Sequence, residues 1–377
     1  MALIINEEQQ MLKTSAAEFL KEKAPVAALR KLRDEKNQQG YDQALWQQMA
    51  EMGWASLVIP EQYGGLDFGY VGLGQLLEEM GRTLTASPMV STGLVGAHAI
   101  LLAGNAAQKE RLLPAIGAGE LIVTLAIDER RQHHPAKTTM SAVKQGNEYV
   151  LNGKKVFVLD GQVANQLIVV ARTAGKAGDE AGLTMFLVDA QAQGIEIGHQ
   201  QMMDSRNAAT ISFENVKAAE VLGQVDQGFE VLTQVLDIAC IGISAEMLGT
   251  MCEAFERTVK YLKERKQFGV PIGSFQALQH RAALMYGEIE ICKSMVIKAL
   301  QAIDQNNPDL SRMASMTKAK IGETIRLVTN EAIQMFGGIG MTDDEEIGFF
   351  MKRARVAQVT FGDYNYHLDR YARLLGF

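Results

Sequence analysis

The hydrophobic period of this chain changes twice, and those two changes restrict its fold more than any single residue does. Up to about residue 118 apolar side chains recur at helical spacing, with helical patterns over 41–52, 69–81, 88–102 and 106–116. From Leu121 onward they come in short β-like runs at 121–126, 149–151, 155–159, 166–171, 184–188, 195–198 and 210–213. After Gly223 the helical period returns, and segments 229–264, 275–306, 311–337 and 345–375 read as four long antiparallel helices. Strands at that spacing, with turns and no intervening helices, describe an antiparallel barrel or sandwich rather than βαβ units. The expected class is α+β multidomain: an α-helical domain at 1–118, an antiparallel β-barrel or sandwich at 119–222, and a four-helix bundle at 223–377.

Local chemistry sharpens this outline. Asn6 followed by Gln9 predicts a capping box at the start of the first helix. Asn152-Gly153 lies between two β-like runs, and both residues tolerate positive φ, which predicts a type I′ hairpin turn there.

Composition narrows the function classes. A length of 377 residues, 47% of them hydrophobic, suits two or three domains with substantial cores. The net charge of −7 argues against a nucleic-acid surface while leaving room for one basic pocket. Apolar runs such as 89–104 are interrupted by Gly, Ser and His, so no membrane span is expected, and no basic segment followed by an apolar one marks a signal peptide. Cys240, Cys252 and Cys292 lack metal-type spacing and sit in apolar helical stretches, which reads as buried thiols in a reducing, cytoplasmic compartment. His133-His134 has no second ligand cluster, so no metal site is expected.

Residues 264–276 (E-R-K-Q-F-G-V-P-I-G-S-F-Q) close one helical segment and open the next. Arg265 stands at the helix end near Phe268, on a turn shaped by Gly269, Pro271 and Gly273. A guanidinium on so stiff a corner suits bidentate contact with phosphate, and an adjacent ring suits the edge of a base or flavin. The run R-K-Q-F-G-x-P-I-x-x-F-Q, followed by H-R-A-A-L-M at 280–285, resembles the acyl-CoA dehydrogenase family. So do W-A-S-L-V-I-P-E-Q-Y-G-G at 54–65, the stretch 146–161, and Q-M-F-G-G-I-G-M-T at 334–342.

The resemblance implies an FAD flavoprotein that dehydrogenates an acyl-CoA thioester at the α,β bond, with an electron-transfer flavoprotein as a suitable acceptor. It places Arg265, Phe268, Gln334, Gly337 and Gly338 against the diphosphate and adenine of FAD across a subunit interface, with Gln276 closing the same run. The family's two locations for the α-proton base fall on Phe361 and Ala239, neither of which accepts a proton. Glu246, seven residues beyond Ala239 on the same helical face, and Asp363 are the substitute candidates, Glu246 being the only charge in the apolar stretch 238–251. The family's Arg on this helix falls on Cys240. The family's T-E-P-G-x-G-S-D loop, which meets the flavin ring and substrate, falls on I-D-E-R-R-Q-H-H at 127–134, with Phe157 and Leu159 in place of its Trp and Thr.

Three readings follow. The chain is a self-sufficient homotetramer with Glu246 as base, or the degenerate member of an α2β2 dehydrogenase of the steroid side-chain type, or a flavin-free scaffold.

Overall fold

The computed structural model describes residues 4–377. These divide into two compact units, one of Leu32–Gly69 with Ala86–Ala239, the other of residues 4–31 with Tyr70–Thr85 and Cys240–Phe377. Six α-helices precede the strands: α1 (Glu7–Lys23), α2 (Val26–Asp34), α3 (Gln43–Glu51), α4 (Tyr70–Thr83), α5 (Ala97–Ala103) and α6 (Ala106–Gly117). The capping box at α1 is present in both directions, Asn6 Oδ1 accepting from the Gln9 backbone at 2.8 Å and Gln9 Oε1 from the Asn6 backbone at 2.9 Å. Just before α5, Met89–Gly96 is π-helical and wholly buried.

The first unit is built on eight strands: β1 (Val123–Ala126), β2 (Ser141–Gln145), β3 (Glu148–Leu159), β4 (Gln166–Arg172), β5 (Leu183–Asp189), β6 (Ile195–Gln201), β7 (Asn207–Ala218) and β8 (Glu220–Leu222). Their order is β6-β7-β3-β2-β4-β5-β8, with β1 on β4. Pairing is antiparallel except for β1 with β4 and a single parallel β2–β4 contact at Ser141 and Arg172. The inner face buries Leu151, Val169, Phe186, Ile211 and Val216 in one apolar cluster.

The hairpin is not at Asn152-Gly153. The chain turns at Gly146-Asn147, a two-residue loop between Gln145 and Glu148 with Gly146 at φ 64°, and β3 runs straight through 152–153 as a bulged strand opposite β7. The small residues there serve close packing instead. A Cβ on Gly153 would lie 2.7 Å from Met140 Cγ, and the Asn152 side chain accepts from the Asn215 backbone at 2.8 Å.

Five helices complete the chain: α7 (Gly228–Glu264), α8 (Gln276–Asp304), α9 (Leu310–Phe336), α10 (Ile347–Val359) and α11 (Tyr364–Leu374). The single last helix expected over 345–375 is thus two, broken where Phe361 and Gly362 adopt φ 58° and 105°. In the second unit α9 packs against α8, α10 and α11, α4 against α8, and α1 against α4. Two glycines let α4 and α7 touch backbone to backbone: a Cβ on Gly81 would stand 2.0 Å from Glu246 O, and one on Gly249 1.7 Å from Glu78 O. Among the described residues α7 alone is long and apolar enough to cross a membrane, and 83% of its most apolar window is buried within the protein, as in a core helix.

Candidate functional site

Arg265 follows the last turn of α7, its backbone N–H donating to Tyr261 O at 2.8 Å and its carbonyl accepting from Ile272 at 2.8 Å. Between those two bonds β9 (Lys266–Gln267) pairs antiparallel with β10 (Val270–Pro271). Phe268 and Gly269 form the turn at φ 53° and 83°, the paired positive values of a type I′ hairpin. Left-handed backbone at a bulky residue costs about 1–3 kcal/mol and is retained where its surroundings or a function require it. Here it projects a ring that is 91% exposed. Arg265 is exposed as well, and among the described residues its guanidinium has no ion pair. Gln276, the first residue of α8, lies on the same exposed corner.

The end of α9 is fastened to the end of α7. Tyr261 stacks on Phe336 with ring centroids 4.3 Å apart, and the Tyr261 hydroxyl donates to Phe336 O at 3.3 Å. This brings the exposed Gln334, Gly337 and Gly338 to the same end of the unit as the Arg265 corner, so the sequence-predicted phosphate-binding set lies together. Neither Gly337 nor Gly338 has a neighbour within 4 Å of a Cβ position, which leaves bare backbone open to a ligand.

The loop at 127–134 is a different environment, because its own side chains already bind one another. Lys155, fully buried, donates at 2.9 Å to Ile127 O and at 2.9 Å to Glu129 Oε1. Glu129 also accepts from the Thr139 backbone at 2.8 Å, the Met140 backbone at 2.9 Å and the Thr139 hydroxyl. Burial works against ionisation of Glu129, but the Lys155 ammonium and these hydrogen bonds outweigh it and hold the carboxyl below its usual range. Asp128 accepts from His133 Nδ1 at 2.9 and 3.0 Å. Phe157 sits at φ 55° in the second irregularity of β3, between Lys155 and Val158. The loop therefore presents Asp128, Glu129 and Lys155 as charged groups already bonded within the protein.

Glu246 lies on α7 with 2% of its surface exposed, and Arg353 of α10 donates to it from Nε at 2.9 Å. The carboxylate that reads as solitary along its own helix is therefore paired with a guanidinium from 107 residues away. Asp363 is exposed and caps α11, accepting from the Tyr366 backbone at 2.9 Å. An Asp363→Ala chain should lose about 1 kcal/mol through the missing cap, read as a lower urea midpoint.

Lys318, His367 and Cys240 hold the turn between α10 and α11, and the first two carry no role in the reading of the sequence. Lys318 of α9, 1% exposed, donates to Gln358 O at 3.0 Å and Gly362 O at 3.1 Å. Burial pushes its ammonium down to about 8. His367 Nε2 donates to Phe361 O at 3.0 Å, and the Cys240 thiol donates to the same oxygen at 3.5 Å. This turn carries Phe361 where the resemblance places a carboxylate base, and buried side chains bond its carbonyls. A signal for Lys318 did exist, since it shares the helical register of Ala314, Ile321, Ile325, Val328 and Ala332, all of them core.

Three family models match the chain in order: "Acyl-CoA dehydrogenase, N-terminal domain" over residues 6–120, the middle domain over 130–216 and the C-terminal domain over 226–376. The chain is 32% identical over 372 residues to mitochondrial isovaleryl-CoA dehydrogenase of Pongo abelii, covering 95% of this chain and 86% of that protein. Among solved structures it is similar to the Tcur3481-Tcur3483 steroid ACAD, at 30% identity and a TM-score of 0.89 over 98% of each chain. Butyryl-CoA dehydrogenase from Megasphaera elsdenii matches at 26% identity with a TM-score of 0.91 over 100% of each chain.

Proposed function

Because this chain belongs to the acyl-CoA dehydrogenase family, we propose that it is one subunit of a heteromeric, FAD-dependent acyl-CoA dehydrogenase, lending the diphosphate half of a flavin site to a partner that carries the chemistry. The observation that carries this reading is the contrast between two regions of one molecule. At the corner, Arg265 is exposed without an ion pair and Phe268 is 91% exposed on a left-handed turn. At the loop, Glu129, Lys155, Asp128 and His133 are committed to one another. The first arrangement is incomplete without a ligand from another subunit, and the second is complete without one.

The residues of the corner fit a diphosphate. The Arg265 fork matches two phosphate oxygens, the Phe268 ring covers an adjoining planar group, and Gly337 and Gly338 admit it to bare backbone. When bound, FAD supplies the acceptor for a hydride leaving the β-carbon of an acyl-CoA. The loop residues do not fit the ring of that cofactor, and the family's base positions hold Ala239 and Phe361. In this reading the α-proton is taken by a carboxylate of the partner, and the partner's own loop holds the flavin ring. The relative that is a steroid ACAD makes a steroid acyl-CoA the first substrate to test.

The test is the ratio of flavin absorbance to protein after gel filtration. Expressed alone, the chain should hold well under one FAD per protomer. Co-expressed with a family member whose T-E-P-G-x-G-S loop and base are intact, it should elute as a heteromer with about one FAD per pair of unlike chains. A tight one-to-one ratio in the chain alone, with turnover of an acyl-CoA, would overturn the proposal.

A further inference from the structure

The loop that has lost the features for a flavin ring contains a cavity of its own. A partly open cleft of about 70 Å³ lies among residues 127–138, lined in part by Arg130, Gln132 and Lys137. At roughly 10–15 Å³ per water, that is room for a few waters or one tetrahedral oxyanion. We propose that this pocket binds a phosphate group, as free phosphate or as a phosphate monoester.

Charge accounting supports that ligand. The two acidic residues of the lining already have partners within the protein, Glu129 the Lys155 ammonium and Asp128 the His133 ring. Arg130 and Lys137 are exposed, and among the described residues neither is in an ion pair. A third cation is bonded to the backbone of this segment. Arg172, 9% exposed, donates to five backbone carbonyls: Thr138 at 2.9 Å, Ala136 at 2.8 Å, Asp179 at 3.0 Å, Ala181 at 3.1 Å and Ala174 at 3.3 Å. No carboxylate among the described residues pairs with it. Carbonyl dipoles solvate a guanidinium without cancelling its charge, so the segment 136–138 rests on an uncompensated positive centre. Arg130, Lys137 and Gln132 in the lining, with the Arg172 guanidinium bonded to the backbone of residues 136 and 138, form an environment that attracts an anion and gives it directional donors. In a protein of net charge −7, the five basic or imidazole side chains at 130, 131, 133, 134 and 137 stand against the overall balance.

Inorganic phosphate titrated calorimetrically into the full chain, in chloride buffer, should give saturable binding at one site. Arg130→Ala with Lys137→Ala should weaken it by about tenfold or more. Arg131→Ala with Lys144→Ala removes the same charge from exposed positions outside the cavity lining and should leave it within about twofold. Both pairs of positions are exposed, so all variants should fold, as checked by circular dichroism. Displacement of phosphate by AMP would identify a phosphate monoester site, and phosphate binding that AMP does not disturb would identify a free-phosphate site. Absence of saturable binding by the unaltered chain, or equal weakening by the two double variants, would overturn the proposal.

Discussion

Glu246→Ala should destabilise the protein by about 3–5 kcal/mol, the cost of leaving a guanidinium buried after its carboxylate has gone. Arg353 is 5% exposed and would lose the Glu246 oxygen now at 2.9 Å. The readout is the shift in the urea midpoint at constant slope. Exchanging both partners, Glu246→Met with Arg353→Leu, should recover much of the loss, because both members of the pair are then replaced by apolar side chains. The same position decides whether this chain has a base of its own. With Glu246→Gln, turnover per bound flavin in the assembled heteromer should stay within about twofold. A fall of several powers of ten in that turnover, with the fold and flavin content intact, would make Glu246 the catalytic base.

Arg265→Ala should abolish the flavin that co-expression with an intact partner brings to the complex. Loss of a charge-assisted, bidentate contact with phosphate costs a few kcal/mol, or roughly a hundredfold in affinity at about 1.4 kcal/mol per decade. Arg265 is exposed and its side chain supports no internal contact among the described residues, so the variant should assemble and unfold like the parent. Arg265→Lys should restore only part of the affinity, since an ammonium meets phosphate as a point charge and lacks the planar fork. Full flavin content in the Arg265→Ala complex, measured after gel filtration, would remove this residue from the phosphate site and with it the main support for the lent half-site.

Much of the molecule could be read from the chain because the physics involved is short-ranged. The capping box of Asn6 and Gln9 joins residues three apart. The corner carrying Arg265 and Phe268 is set by a hairpin whose bonds close within eight residues, from Arg265 to Ile272. The two changes of hydrophobic period separate helices from strands because burying an apolar face demands a period of 3.6 in one and 2 in the other. The cationic residue types at the loop 127–134 were equally visible, and the proposal that a partner holds the flavin ring rests on them.

Pairings between distant segments were decided only by the tertiary structure. Asn152-Gly153 has the local preferences of a turn, yet packing against Met140 and bonding to Asn215 keep it in the strand, while Gly146-Asn147 makes the hairpin. Helical periodicity runs on through 360–363, yet the chain breaks there because Lys318 and Cys240, drawn from two other helices, and His367, six residues beyond Phe361, bond carbonyls that a continuous helix would use internally. Glu246 looked like a lone carboxylate because the sequence displays only its neighbours along the helix, and Arg353 meets it from another helix. Hydrophobic period and capping are properties of a few consecutive residues and survive in the sequence, whereas the partner of a buried charge depends on which segments the core brings together.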